Sequence, residues 1–173
     1  IPENQGDMNR LKNKNFPNIS LPNQDGNSLN LHRLDTFRMV LYFYPMTGRP
    51  DRPLPDNWNN IPGAKGCTIQ TCSFRDNYDE IISLNAVPIG ISSQSVDYNK
   101  EMTSRLKVPY DVLSDEKLEL SNELNIPTFL ADSKIFIRRI TLIVEKKIIK
   151  KVFYPINDIS KHIEEVLKWL KEN

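Results

Sequence analysis

The sequence predicts an α/β fold: a mixed central sheet flanked by helices, with an N-terminal β-hairpin. Three observations carry this expectation. Strand-sized apolar runs at 38–44 and 87–91 bracket a stretch of helical periodicity, so the chain makes a strand–helix–strand unit with parallel pairing and a right-handed crossover. Two strand-like segments then adjoin one another near the C-terminus, which requires an antiparallel edge. An amphipathic helix closes the chain.

Taken in order, Phe16 to Leu21 and Ser28 to Leu31 flank Asn23-Gln24-Asp25-Gly26, a turn with glycine at the demanding position, and form the hairpin. Arg38 to Tyr44 is a buried strand stopped by Pro45. Cys67 to Leu84 is a helix, with Ile69, Phe74, Tyr78, Ile81 and Ile82 at roughly three-four spacing. Val87 to Ile91 is a second buried strand, Val96 to Leu106 an amphipathic helix, Val112-Leu113 a short strand and Glu116 to Leu124 a short helix. Arg139 to Glu145 and Lys147 to Phe153 are strands meeting at Lys146-Lys147, a turn pair without glycine. Asp158 to Lys171 is the closing helix, with Ile159, Ile163, Val166, Leu167 and Leu170 on one face. This order is that of the thioredoxin fold, expected as a single domain over 1–173, although a fold by itself does not assign a function.

Composition narrows the function classes. With 39% hydrophobic and 26% charged residues and a mean hydropathy of −0.49, the chain reads as a soluble globular protein. A net charge of +1 supplies no basic field for nucleic acid or anionic lipid. No apolar run approaches the ~20 residues of a membrane-spanning helix. A cytoplasmic placement is expected, with a removed targeting segment or an organelle left open because the chain starts at Ile1. Asp56, Asp76, Asp79 and Glu80 make no convincing metal site, and neither metal nor cofactor is expected. His32 and His162 are expected at the surface, and Phe43, Phe74 and Phe153 in the core. Residues 49–63 are too rich in proline and polar residues for a helix or central strand. Loops of this length are functional or disordered, and Trp58 favours one that packs back on the protein.

The two cysteines, Cys67 and Cys72, are five positions apart. Two cysteines make neither a disulfide scaffold nor a four-cysteine zinc site. Cys67 follows Gly66 at the expected helix start, where free N–H groups and the helix dipole favour a thiolate, and no acid occurs from Cys67 to Arg75 to oppose this. On a helix, five residues rotate a side chain by roughly 140° and advance it by roughly 7.5 Å. A disulfide needs Cα atoms within about 7 Å and converging Cβ vectors, so a Cys67–Cys72 bond requires the first helical turns to unwind. The plain alternative is an incidental thiol at Cys67 and a small buried hydrophobe at Cys72.

The surroundings favour chemistry. Leu41-Tyr42-Phe43-Tyr44-Pro45, followed by Gly66-Cys67-Thr68-Ile69-Gln70-Thr71-Cys72-Ser73-Phe74-Arg75-Asp76, resembles the peroxiredoxins, most nearly the bacterioferritin-comigratory or Q-type subgroup. The opening Phe16-Pro17-Asn18-Ile19-Ser20-Leu21-Pro22-Asn23-Gln24-Asp25-Gly26 and the segments Gly90-Ile91-Ser92, Leu113-Ser114-Asp115 and Arg139-Ile140-Thr141-Leu142-Ile143 match further landmarks in order. The resemblance implies a thiol-dependent peroxidase acting on hydrogen peroxide or organic hydroperoxides. By it, Cys67 is the peroxidatic cysteine, Cys72 the resolving one, and Arg139 the arginine beside the thiolate, with Arg138 as the competitor one register away. It also implies recycling by a thioredoxin-like or other thiol reductant, and a monomer or weak homodimer.

One departure stands out. The family pattern is Pro-x3-Thr-x2-Cys, but Ala64 occupies the threonine position and Pro45 lies 22 positions before Cys67. The Pro-rich loop is the insertion. Thr47 and Thr68 are the candidates for the missing hydroxyl. Two rival functions remain: a thioredoxin-like disulfide oxidoreductase, suggested by Asn125-Ile126-Pro127-Thr128-Phe129 but opposed by the longer cysteine spacing, and a non-enzymatic redox sensor using the Trp58 loop as a contact surface.

Overall fold

A computed structural model describes residues 7–173. In chain order its elements are β1 (Ser20–Pro22), β2 (Ser28–Asn30), β3 (Arg38–Phe43), α1 (Cys67–Asp76), α2 (Tyr78–Ser83), β4 (Ala86–Ser92), α3 (Val96–Leu106), β5 (Val112–Ser114), α4 (Glu119–Glu123), β6 (Thr128–Ala131), β7 (Lys134–Ile137), β8 (Ile140–Glu145), β9 (Ile148–Phe153) and α5 (Ile159–Glu172). The central sheet runs β5-β4-β3-β8-β9. β3 pairs parallel with β4 and antiparallel with β8, and β8 pairs antiparallel with β9. This is the mixed thioredoxin-like sheet expected from the sequence. β1 and β2 form the expected hairpin, turned at Gly26 with φ +81°.

The sheet has a core on each face because side chains alternate along a strand. Met39, Leu41 and Phe43 of β3 point to a layer with Ile89, Ile91, Leu113, Leu142 and Val144. Val40, Tyr42 and Tyr44 point the other way, to Phe74, Ile81, Ile163, Val166, Leu167 and Cys67. The second layer is where α1, α2 and α5 pack, so β3 carries one wall of the cysteine's surroundings. Arg38 begins this strand almost fully buried, and its guanidinium donates to Leu84 O at 2.5 Å and Leu170 O at 3.3 Å. A cation there complements the C-terminal ends of both α2 and α5.

Several expectations need correction. The helix expected over 67–84 is divided at Asn77, which leaves helical geometry at φ −107°, ψ 15° and whose side-chain amide donates to Ser73 O at 2.9 Å, a local side-chain bond of the kind that competes with helical continuation. Ile69 and Ile82, assigned to the apolar stripe, are 62% and 41% exposed, whereas Phe74 and Ile81 are buried. α4 starts later than expected because Leu118 takes φ +57° and the Asp115 carboxylate accepts from the N–H groups of Leu120 and Ser121.

The β6–β7 hairpin was not expected: its turn residues Asp132 and Ser133 adopt φ +47° and +62° without glycine. Lys146 and Lys147, at +51° and +69°, turn β8 into β9 in the same left-handed way.

His162 is 2% exposed, not at the surface, and shares a 2.8 Å hydrogen bond with Thr141 Oγ1 between the edges of Phe74 and Phe153. Burial, with Arg139 adding repulsion, lowers its pKa to about 4. The unfolded chain takes up this proton near 6.5, the native state only near 4, so the stabilisation is complete above 6.5 and is lost as pH falls through that window. Urea melts should therefore lose up to ~3 kcal/mol between pH 7 and pH 4 from this group. The loss should shrink in His162→Gln; an unchanged pH slope in that variant would contradict the assignment.

Candidate active site

Cys67 is the first residue of α1, and Gly66 precedes it at φ +103°. A side chain at Gly66 would be strained at that angle and would also strike Ile159 Cδ1 of α5, 2.3 Å from an added Cβ. The glycine thus lets α5 close over the start of α1. No acidic residue lies in the first turn. Cys67 is 2% exposed.

The sulfur sits among donors. Met46 N–H donates to Cys67 Sγ at 3.4 Å, and Arg139 Nη2 donates to it at 3.3 Å. As a thiol, Cys67 donates to Ala64 O at 3.6 Å. A negative charge on this sulfur would face a guanidinium and a backbone N–H in a site closed to water, where such contacts are strong.

Arg139 is held as a rigid fork. Its Nη1 donates to Gln70 Oε1 at 2.6 Å, and its Nη2 is shared among the carbonyls of Gly63 (3.2 Å), Ala64 (3.4 Å) and Lys65 (2.9 Å) as well as the sulfur. Arg138 points elsewhere: its Nη1 donates to Pro62 O at 3.1 Å and its guanidinium lies 4.9 Å from the Phe129 ring centre. Of the two arginines, it is Arg139 that meets Cys67.

The candidate hydroxyls are placed differently. Thr47 is fully buried, and both its N–H and its Oγ1 donate to Gln94 Oε1. Thr68 lies half-buried in the first turn of α1. Among the described residues, neither hydroxyl hydrogen-bonds Cys67 Sγ. Ala64, at the position of the family threonine, offers only its carbonyl to the site.

Cys72 lies further along α1, half-buried, and both cysteines are free. The helix between them is pinned from β3. Tyr42 Oη lies 3.3 Å from Thr71 Oγ1 and 2.7 Å from Tyr110 Oη, while Tyr110 Oη donates to Thr71 O at 2.9 Å. Burial holds both phenols well above their ordinary pKa, so they stay neutral and keep their hydrogens to donate. Gly90 makes room for Tyr42, whose Oη is 2.8 Å from where a Cβ would stand.

Gln70 and Gln94 were missed from the sequence. A signal existed for Gln70, which lies three residues after Cys67 and so shares its helix face. None existed for Gln94, which from the loop after β4 holds the backbone and hydroxyl of Thr47, next to Met46 whose N–H meets the sulfur.

The Redoxin family model matches residues 11–167. Peroxiredoxin Q, chloroplastic, of Arabidopsis thaliana is 32% identical over 162 residues, covering 92% of this chain and 67% of that protein. Peroxiredoxin Bcp of Escherichia coli K12 is 29% identical over 172 residues, covering 96% and 99%. The chain spans 63–67% of the length of the chloroplastic relatives it matches. In architecture it is similar to the peroxidoxin BcpB of Mycobacterium tuberculosis, with a TM-score of 0.77 at 22% identity, covering 93% of this chain and 96% of that one. The chain belongs to the Redoxin family and, within it, to the peroxiredoxins.

Proposed function

We propose that this chain, acting as a single thioredoxin-like domain, is a thiol-dependent peroxidase with Cys67 as attacker, Cys72 as resolver and Arg139 as the cation beside the reacting sulfur. The observation that carries the reading is the 3.3 Å approach of Arg139 Nη2 to a buried sulfur at a helix start, with a second thiol on the same helix.

The Cys67 thiolate attacks one oxygen of the peroxide. The S–O bond forms as the O–O bond breaks, leaving a sulfenic acid on the protein and releasing water or an alcohol after protonation. Arg139 orients the peroxide oxygens and meets the charge passing to the leaving one. The first turns of α1 then unwind, which frees Thr71 from the two tyrosines. The Cys72 thiolate attacks the sulfenic sulfur, the S–S bond forms and water leaves. A thioredoxin-like dithiol, or another thiol reductant, returns two electrons and two protons. Hydrogen peroxide and organic hydroperoxides both fit this chemistry. The enzyme is read as a cytoplasmic monomer or weak homodimer that engages neither nucleic acid nor membrane. Among the described residues no helix is long and apolar enough to cross a membrane.

The test is NADPH oxidation in the presence of thioredoxin, thioredoxin reductase and peroxide. Turnover that needs all three supports the proposal. Reduction of insulin disulfides with no peroxide consumption would replace it with a disulfide oxidoreductase. A partner that binds only the oxidised chain, again without turnover, would replace it with a redox sensor.

A further inference from the structure

The insertion at 49–63 is not an ornament on the surface. Trp58 lies at its centre in a single helical turn and is 3% exposed. Its ring is 5.0 Å from that of Phe136 and 5.7 Å from that of Phe129, with Ala64 and Ala131 in the same cluster. Two polar contacts tie the same surfaces together: Asp56 N–H donates to Asp132 Oδ2 at 3.0 Å, and Arg138 Nη1 donates to Pro62 O at 3.1 Å.

Both sides of this contact lead directly to Cys67. On the loop side, Ile61 N–H donates to Trp58 O and Ala64 N–H to Ile61 O, so successive turns run from the tryptophan into Gly63, Ala64 and Lys65. These are the residues whose carbonyls accept from Arg139 Nη2. On the hairpin side, β7 ends at Ile137, two residues before Arg139. The guanidinium and its acceptors therefore come from two segments clamped to each other at Trp58.

We infer that Trp58 is a positioning residue: it locks the inserted loop to the β6–β7 hairpin and so fixes the register of Arg139 and the three carbonyls against Cys67 Sγ. The inference rests on the peroxidase reading for its kinetic consequence. The loop thus supplies through packing and backbone carbonyls an order that the missing threonine cannot.

The test is rapid-quench mass spectrometry of the reduced protein mixed with hydrogen peroxide, which resolves sulfenate formation from disulfide formation. Trp58→Ala should slow sulfenate formation by about ten- to a hundredfold, the scale of a misplacement near 1 Å. Disulfide formation should keep its rate or quicken, because a loosened site unwinds more readily. Trp58→Phe should restore the first step to within about threefold, since an aromatic ring refills the pocket. Leu54→Ala, at an exposed position of the same loop, should match wild type.

A folded Trp58→Ala protein with a wild-type first step overturns the inference, and so does equal slowing of both steps. Should that variant not fold, Arg138→Gln carries the test: it removes the bond to Pro62 O and should slow the first step several-fold, and a wild-type rate overturns the inference. An unreactive wild-type protein overturns the peroxidase reading instead. Alkylation of Cys67 by iodoacetamide, which needs no peroxide, then decides the inference separately: an unchanged rate in Trp58→Ala overturns it.

Discussion

Exchanging Cys67 for serine should lower peroxide turnover by more than about a thousandfold, because a hydroxyl is a far weaker nucleophile than a thiol and oxygen cannot take up the transferred oxygen as sulfur does. The replacement is small and keeps a polar donor toward Ala64 O, so the fold should survive and the loss should be chemical. Cys72→Ser distinguishes the roles. It should lose sustained turnover yet still react with one equivalent of peroxide, since among the described residues the sulfur of Cys67 meets Met46, Ala64 and Arg139 and not Cys72. A coupled assay with thioredoxin, run beside a single-turnover reaction, reads both effects. Wild-type turnover in Cys67→Ser would end the assignment.

Arg139→Gln should slow oxidation of Cys67 by about a hundredfold, the loss that follows removal of one well-placed donor to a reacting centre. The reason lies in how the guanidinium is held. It touches Gln70 with one nitrogen and divides the other among three carbonyls and the sulfur. Arg139→Lys separates charge from shape: an ammonium keeps the charge but cannot span Gln70 and the carbonyls at once, so it should recover only part of the rate. Stopped-flow oxidation of the three proteins measures this directly. A larger loss in Arg138→Gln than in Arg139→Gln would show that the other arginine acts.

Much of this was legible in the sequence because local pattern and global fold agree. The run 38–44 is strand-forming and buried on both faces, and it became the central strand. Gly66 before Cys67 predicted a helix start, and the helix begins there. What stayed hidden has a common physical cause. The β6–β7 hairpin turns on Asp132-Ser133, a left-handed pair without the glycine that usually announces one, whereas the last hairpin, equally without glycine at Lys146-Lys147, was legible from the strand-like runs on either side. The break at Asn77 depends on a side chain bonding back to Ser73 O, which periodicity does not register. His162 reads as a polar residue on an amphipathic helix, yet it is buried between Phe74 and Phe153 with Thr141 opposite to hydrogen-bond it. At the site, the cysteines and Arg139 followed from the motifs, but the arginine's acceptors are backbone carbonyls, which carry no residue signature. Thr47 illustrates the converse: its residue type suggested a hydroxyl for the site, while its surroundings commit that hydroxyl to Gln94.

The division of labour between the cysteines is tested most directly by a mass-resolved titration of reduced wild type, Cys67→Ser and Cys72→Ser with one equivalent of hydrogen peroxide. Wild type should lose two hydrogens as the Cys67–Cys72 disulfide forms, Cys72→Ser should gain one oxygen as a sulfenic acid, and Cys67→Ser should keep its mass. An oxygen gained by Cys67→Ser, with Cys72→Ser unchanged, would contradict the account.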